Sequence, residues 1–262
     1  GGPAVKVLIK LGGTLLDTSE TRCRLAREIA ALGKDGHQIV VVHGGGKQMT
    51  RFLSERGVES RFVNGLRVST PEVIEAVLKV LAGSVNRELV ASLVAAGANA
   101  VGLCGIDGVL AEAEPISEEL GAVGRIVRAN APLLDLLSGN GYLPVIACVA
   151  GDRQGRIYNV NADSMAVAIA AAFAADRLLF LTDVEGVRGA DGVIPELDIA
   201  SSLRLIEDGI ATGGMRAKLD AACSALGQGV GQVVIAPGQA PGAAARLLAG
   251  EALGTRMVAS RG

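Results

Sequence analysis

The sequence predicts an α/β fold, with a mainly parallel sheet covered by helices on both faces. Three observations lead there. Strand and helix signals alternate from the first residues to the last, the pattern of βαβ units. Runs such as Gln38-Ile39-Val40-Val41-Val42-His43 are almost wholly apolar, as strands buried on both faces are. Glycine supplies 36 of 262 residues, about twice its usual share. That excess implies tight turns and close backbone approaches, as nucleotide and phosphate sites need.

The first strand starts by Val5 and runs to Leu11. Val5, Val7 and Ile9 are β-branched, Leu8 and Leu11 fill between them, and Gly12-Gly13 close the run. Ser19 is placed to cap a helix reaching about Lys34, with Leu25, Ile29 and Leu32 on its apolar face and Gly36 past its end. Gln38 to His43 is a second buried strand, closed by Gly44-Gly45-Gly46, and a helix follows to Arg56. From Ser60 to Arg67 the chain reads as a short extended excursion turning at Asn64-Gly65. Thr70 caps a helical stretch with Pro71 in its first turn; it reaches about Ala96 with a break near Gly83. Residues 98–103 form a third strand, and 109–114 and 121–128 read as a polar hairpin on the solvent side.

A helix over 131–138 precedes a buried strand over 142–149, hairpin chemistry over 152–159 and an Ala-rich helix over 161–174. Residues 177–182 are a strand, and 189–193 a turn containing Asp191-Gly192. Helices are expected over 199–208, 215–226 and 241–248, and strands over 232–235 and 255–258. No linker interrupts this order. Two lobes, residues 1–175 and 176–262, would therefore share one continuous sheet. Gly1-Gly2-Pro3 are expected to be an appended remnant.

Composition narrows the function classes. Hydrophobic residues make up 50% of the chain and aromatics 2%, so Ala, Val, Leu and Ile must build the core. With 25 basic and 27 acidic residues, there is no basic field for nucleic acid and no polybasic run for a membrane. Cys23, Cys104, Cys148 and Cys223 are far apart, without CxxC or metal spacing. They read as reduced, mostly buried thiols of a cytoplasmic protein. Two histidines, His37 and His43, are few for a histidine-based metal site, and no protein metal ligands are expected. No apolar run is long enough to span a bilayer, and no signal peptide is expected.

Six stretches carry candidate chemistry. Lys10 ends a buried strand one residue before Gly12-Gly13, so it either snorkels to solvent or meets an anion such as phosphate. Gly44-Gly45-Gly46 stand between a strand and a helix, where bare N–H groups make an anion site; a tight turn alone needs one glycine. The Walker spacing is absent, since Lys47 is followed by Gln48, and there is no G-x-G-x-x-G or protein-kinase motif. Arg67, just past Asn64-Gly65, can hold a carboxylate or phosphate in two parallel hydrogen bonds, or can be a plain surface arginine. In Asn159-Val160-Asn161-Ala162-Asp163, Asn161 suits an N-cap and Asp163 a first helical turn, which leaves Asn159 for a cleft wall. Thr212-Gly213-Gly214-Met215-Arg216-Ala217-Lys218 sets cations near a helix N-terminus against its dipole, at a cost of about 0.3–1 kcal/mol each unless an anion is present. Asp183 to Val187 follow a strand, as a ligand contact or a simple turn.

Taken in order, Ile-Lys-Leu-Gly-Gly, His-Gly-Gly-Gly, Asn-Gly-Leu-Arg-Val, Asn-Val-Asn-Ala-Asp, Thr-Asp-Val-Glu-Gly-Val and Thr-Gly-Gly-Met-x-x-Lys resemble the amino acid kinase family. The likeness covers about residues 5 to 258 and is strongest to members that phosphorylate N-acetyl-L-glutamate in arginine biosynthesis. It implies a three-layer α/β/α sandwich with an open, mainly parallel sheet. It also implies transfer of a phosphoryl group from ATP, with Mg2+ carried on the nucleotide phosphates, to the side-chain carboxylate of the acyl-amino acid.

The resemblance assigns catalytic roles to Lys10, Lys218 and Asp163, with Asp163 orienting the two lysines. Gly12, Gly13 and Gly45 would meet phosphate. Gly45, Gly46, Arg67, Asn159 and Asn161 would meet or support the acyl-amino acid. Asp183, Val184, Glu185, Gly186, Val187, Arg188, Ile210, Ala211 and Thr212 would line the ATP site. Arginine-inhibited members carry an extra helix before the first strand; with the strand starting by Val5, a homodimer without that feedback is expected. Sister kinases with acetylated or carrier-bound aminoadipate, carbamate or aspartate as acceptor, and a non-catalytic sensor, are the competing readings. The Asn64–Arg67 motif favours free N-acetylglutamate.

Overall fold

The computed structural model describes residues 4–259, so Gly1-Gly2-Pro3 lie outside the described residues. Eight strands form the central sheet: β1 (Lys6–Leu11), β2 (Gln38–His43), β3 (Ala100–Cys104), β4 (Leu143–Ala147), β5 (Arg177–Thr182), β6 (Glu196–Asp198), β7 (Gln232–Pro237) and β8 (Thr255–Val258). Their order is β6-β8-β7-β5-β1-β2-β4-β3, and every pair is parallel except β7–β8. β1 lies in the middle, flanked by β5 and β2. The winding direction reverses there, and such a reversal opens a crevice beyond the carboxyl ends of the strands. The core is aliphatic, as the composition requires, with Phe173 and Phe180 its largest fully buried side chains.

The expected elements form, with four corrections and one strand, β6, that was not expected. The first helix, Ser19–Lys34, is capped by Thr18, whose side chain accepts from the Thr21 N–H, and not by Ser19. The stretch after Pro71 does not break at Gly83. It passes from α-helix (Pro71–Ala76) through a π-helical segment (Val77–Val85) to α-helix (Asn86–Ala95). Gly83 permits the wider turn: a Cβ there would sit 3.2 Å from the Leu78 carbonyl oxygen, five residues back.

The expected strand over 142–149 is two. β4 stays in the sheet, and after Cys148 the segment Val149–Gly151 pairs with Ile157–Val160 instead. The polar hairpin, Ala111–Pro115 with Val123–Ala129, is half of a small closed barrel completed by those same two segments. β6 is only three residues long, and its last residue Asp198 also caps the helix Ile199–Glu207 by accepting from the Ser201 N–H.

Candidate active site

Lys10 is nearly sealed from water, 7% exposed at the carboxyl end of β1. Its ammonium lies 2.8 Å from Oδ1 of Asp163. Asp163 stands in the first turn of the helix Ala162–Ala172, where Asn161 is the N-cap: its Oδ1 accepts from the N–H groups of Asp163 and Ser164 at 2.9 and 3.1 Å. That cap locks the start of the helix and so the place of the carboxylate. Lys218, in the second turn of the helix Gly213–Gly227, reaches the other oxygen, Oδ2, at 3.4 Å. Burial pushes the Asp163 pKa up, but attraction to Lys10 and Lys218 outweighs it and holds the carboxyl below its usual range. The unfavourable cation near a helix N-terminus thus has its counter-charge on a neighbouring helix. Arg216 points outward instead, 3.8 Å from Asp220 at an exposed position.

The glycine loop packs against this cluster. A Cβ on Gly44 would lie 3.5 Å from that of Ala162, so the loop touches the start of the Asp163 helix. Gly45 precedes the helix Gly46–Ser54, and its own need for glycine is steric: a Cβ there would meet Leu81 Cδ2 at 2.5 Å. N–H groups in a first helical turn have no intrahelical acceptor, which leaves those of Gly45 and Gly46 suited to an anion. Gly12 differs. Its N–H donates to the Leu181 carbonyl at 3.0 Å, so it fastens the end of β1 to that of β5. Gly13 opens the 3-10 turn Gly13–Leu16.

Arg67 is buried, not on the surface. Its guanidinium donates to the Gly46 carbonyl at 3.2 Å, to Thr50 Oγ1 at 2.9 Å and to Ser60 Oγ, and lies over the Phe62 ring. Burial pulls its pKa down from the usual value. Among the described residues it has no acidic partner. A buried cation held only by neutral groups is costly unless an anion arrives. Asn159 belongs to the same arc: its Nδ2 donates to Ser69 Oγ at 3.1 Å, and Ser69 donates to the Arg67 carbonyl at 2.9 Å. Thr50, Ser60 and Ser69 had no mark in the sequence, because each meets its partner only through the fold.

The residues assigned to the nucleotide lie on the other side of β1. Asp183, Val184, Glu185 and Arg188 are exposed in the loop after β5, and Asp183 accepts from Thr182 Oγ1 at 3.1 Å. Val187 faces the core, its N–H bound to Thr255 Oγ1, and Gly186 is buried beside it with φ +147°. Ile210 is 55% exposed, Ala211 is buried, and Thr212 is exposed just before the Lys218 helix. Val184 and Ile210 therefore offer apolar surface on that side. Among the described residues, no group of three or more His, Cys, Asp and Glu side chains is placed to hold a metal ion.

His43 sits directly behind the glycine loop, fully buried, and its pKa is lowered from 6.5 to about 4. Burial is the main cause; its bond to the Gly44 carbonyl raises the value and the Arg87 charge lowers it. Unfolded, the imidazole takes a proton below about pH 6.5; folded, it resists until about pH 4. The unfolded chain therefore binds more protons in that window, and stability falls with falling pH. The loss approaches about 3 kcal/mol by pH 4. Urea melts at pH 7 and pH 4.5 should show it, and His43→Gln should flatten the difference; an unchanged slope in the variant would assign the acid lability elsewhere.

The model of the amino acid kinase family fits residues 5–237. The chain belongs to the amino acid kinase family. This is the family expected from the six motifs, and the mainly parallel sheet between helices is the expected fold. Among relatives, an acetylglutamate kinase of Solibacter usitatus is 64% identical over 97% of this chain and 99% of its own length. Another, from Koribacter versatilis, is 42% identical over 98% of this chain and all of its own. Of solved structures, smu.665 from Streptococcus mutans UA159 superposes with TM-score 0.85 at 27% identity, covering 97% of this chain and 99% of that one. An N-acetylglutamate synthase from Neisseria gonorrhoeae superposes with TM-score 0.89 at 23% identity, over 98% of this chain and 60% of that one, a likeness of fold.

Proposed function

We infer that this amino acid kinase is an acetylglutamate kinase: it transfers the γ-phosphoryl group of ATP to the side-chain carboxylate of N-acetyl-L-glutamate, a step of arginine biosynthesis. The observation that carries this is the meeting of Lys10 and Lys218 on one buried carboxylate, in a chain 64% identical to an acetylglutamate kinase.

In this reading a carboxylate oxygen of the acceptor attacks the γ-phosphorus. The new O–P bond gives an acyl phosphate, the bond to the β–γ bridging oxygen breaks, and ADP leaves. The acceptor is already ionised at pH 7, so no general base is needed. What the reaction needs is positioning and stabilisation of charge on the moving phosphoryl group. Lys10 faces it from the acceptor side and Lys218 from the nucleotide side. Asp163 fixes their spacing and leaves the trio one net positive charge. Magnesium on the ATP phosphates supplies further positive charge when bound.

Arg67 takes the α-carboxylate of the acceptor, with Asn159 beside it and Asn161 behind as the cap. The N–H groups of the glycine loop face the phosphoryl group and the reacting carboxylate. Residues 1–175 hold the acyl-amino acid and residues 176–262 the ATP, in a cytoplasmic homodimer.

An ADP-release assay with MgATP tests this reading. N-acetyl-L-glutamate should turn over, and acetylated aminoadipate, aspartate and carbamate should turn over far more slowly. Faster turnover of another acceptor would reassign the substrate, and ATP binding without any turnover would make the chain a sensor.

A further inference from the structure

His43 and Lys10 lie on opposite faces of the sheet. β1 and β2 pair Lys10 with Val42 and Leu11 with His43, and side chains alternate along a strand. His43 therefore points away from the lysine cluster, toward the helix Asn86–Ala95. There Asn86 Nδ2 lies 3.0 Å from His43 Nε2 and 3.0 Å from the Val145 carbonyl, while its Oδ1 accepts from Arg87 at 2.5 Å. Arginine only donates and a carbonyl only accepts, so the Asn86 amide has one possible orientation. Its NH2 group faces His43, Nε2 must accept, and the imidazole proton must sit on Nδ1. That N–H donates to the Gly44 carbonyl at 2.8 Å.

The peptide after Gly44 is trans, so its C=O and the Gly45 N–H point in opposite directions. A Gly44 carbonyl drawn to the His43 side turns the Gly45 N–H to the Lys10 side. Gly44 itself packs beside Ala162, one residue from Asp163.

We propose that His43 is a positioning residue for phosphoryl transfer: the relay Arg87–Asn86–His43 holds the Gly44 carbonyl so that the Gly45 N–H faces the transferring phosphoryl group. The role rests on the kinase reading above. It acts through the peptide and not through proton exchange, because buried His43 stays neutral at working pH. It also gives a reason for histidine at this position, where an aliphatic side chain would fill the core without setting the peptide.

Nitrogen-15 NMR of histidine-labelled protein reads the tautomer directly. His43 should carry its proton on Nδ1. His37, whose Nδ1 accepts from the Val5 N–H at 3.3 Å, should carry it on Nε2, and His37→Gln assigns the signals. An Nε2–H tautomer at His43 overturns the proposal.

Kinetics supply the second test. His43→Leu should lower kcat at least tenfold with KM for both substrates within about threefold, since an aimed N–H acts on the transition state. His43→Asn, whose amide can donate from near the Nδ1 position, should recover most of that loss. A folded His43→Leu with wild-type kcat, or equal losses in both variants, overturns the proposal. Failure of the kinase reading would show separately, as no ADP release from N-acetylglutamate by the unaltered chain, while the tautomer still decides the relay.

Discussion

Replacing Lys218 by alanine should lower kcat about 10²–10³-fold while the KM for N-acetylglutamate moves less than about threefold. The ammonium sits in a mostly dry site, its side chain 18% exposed, where a fixed charge aimed at developing charge is worth far more than in water. In the proposed mechanism it meets the nucleotide side, so the acceptor should bind as before. The variant should fold. Asp163 keeps Lys10 at 2.8 Å, and alanine removes a cation from the unfavourable end of a helix. Removing Asp163 would do the reverse, leaving two lysines facing one another without a counter-charge. Steady-state ADP release with a thermal melt checks both halves. A proportionate rise in KM would place Lys218 in binding rather than in catalysis.

Arg67→Ala should show the opposite split: the KM for N-acetylglutamate rises by about a hundredfold, roughly 3 kcal/mol, and kcat stays within about threefold. Arg67 is already held in place by the Gly46 carbonyl, Thr50 and Ser60, so little ordering is required when a carboxylate arrives. Lysine should rescue poorly, since a point charge cannot reproduce a planar fork stacked on Phe62. Initial rates over a range of acceptor concentrations decide it, and an unchanged KM would remove Arg67 from the substrate site.

These residues also show how far the sequence could be read. Lys10 and Lys218 were legible as oddities, a lysine ending a buried strand and a cation at the wrong end of a helix. Each oddity resolves on the same carboxylate. The apolar runs marked most sheet strands, because burial on both faces leaves little choice; the ends were less legible, as the run over 142–149 continues past the end of β4. What stayed hidden depends on partners distant in sequence. Asn159 meets Ser69 across 90 positions and His43 meets Asn86 across 43, and no local pattern announces either. The small barrel was read as a hairpin because closure depends on Val149–Gly151 leaving the strand line of β4. Gly45 looked like an anion-binding glycine, and its contact with Leu81 adds a packing demand visible only in three dimensions.

The position of β1 has a consequence for dissecting the molecule. β1 is paired along its length with β2 on one side and β5 on the other, so the notional boundary at residue 175 runs through a sheet and not through a joint. A fragment ending there would keep β1 but lose β5, leaving an apolar strand edge unpaired and ready to add foreign strands. The carboxyl-terminal piece would lose its central neighbour in turn. The two parts of this kinase on either side of residue 175 are thus not separable modules, and fusing or swapping them has to carry β1 along with β5.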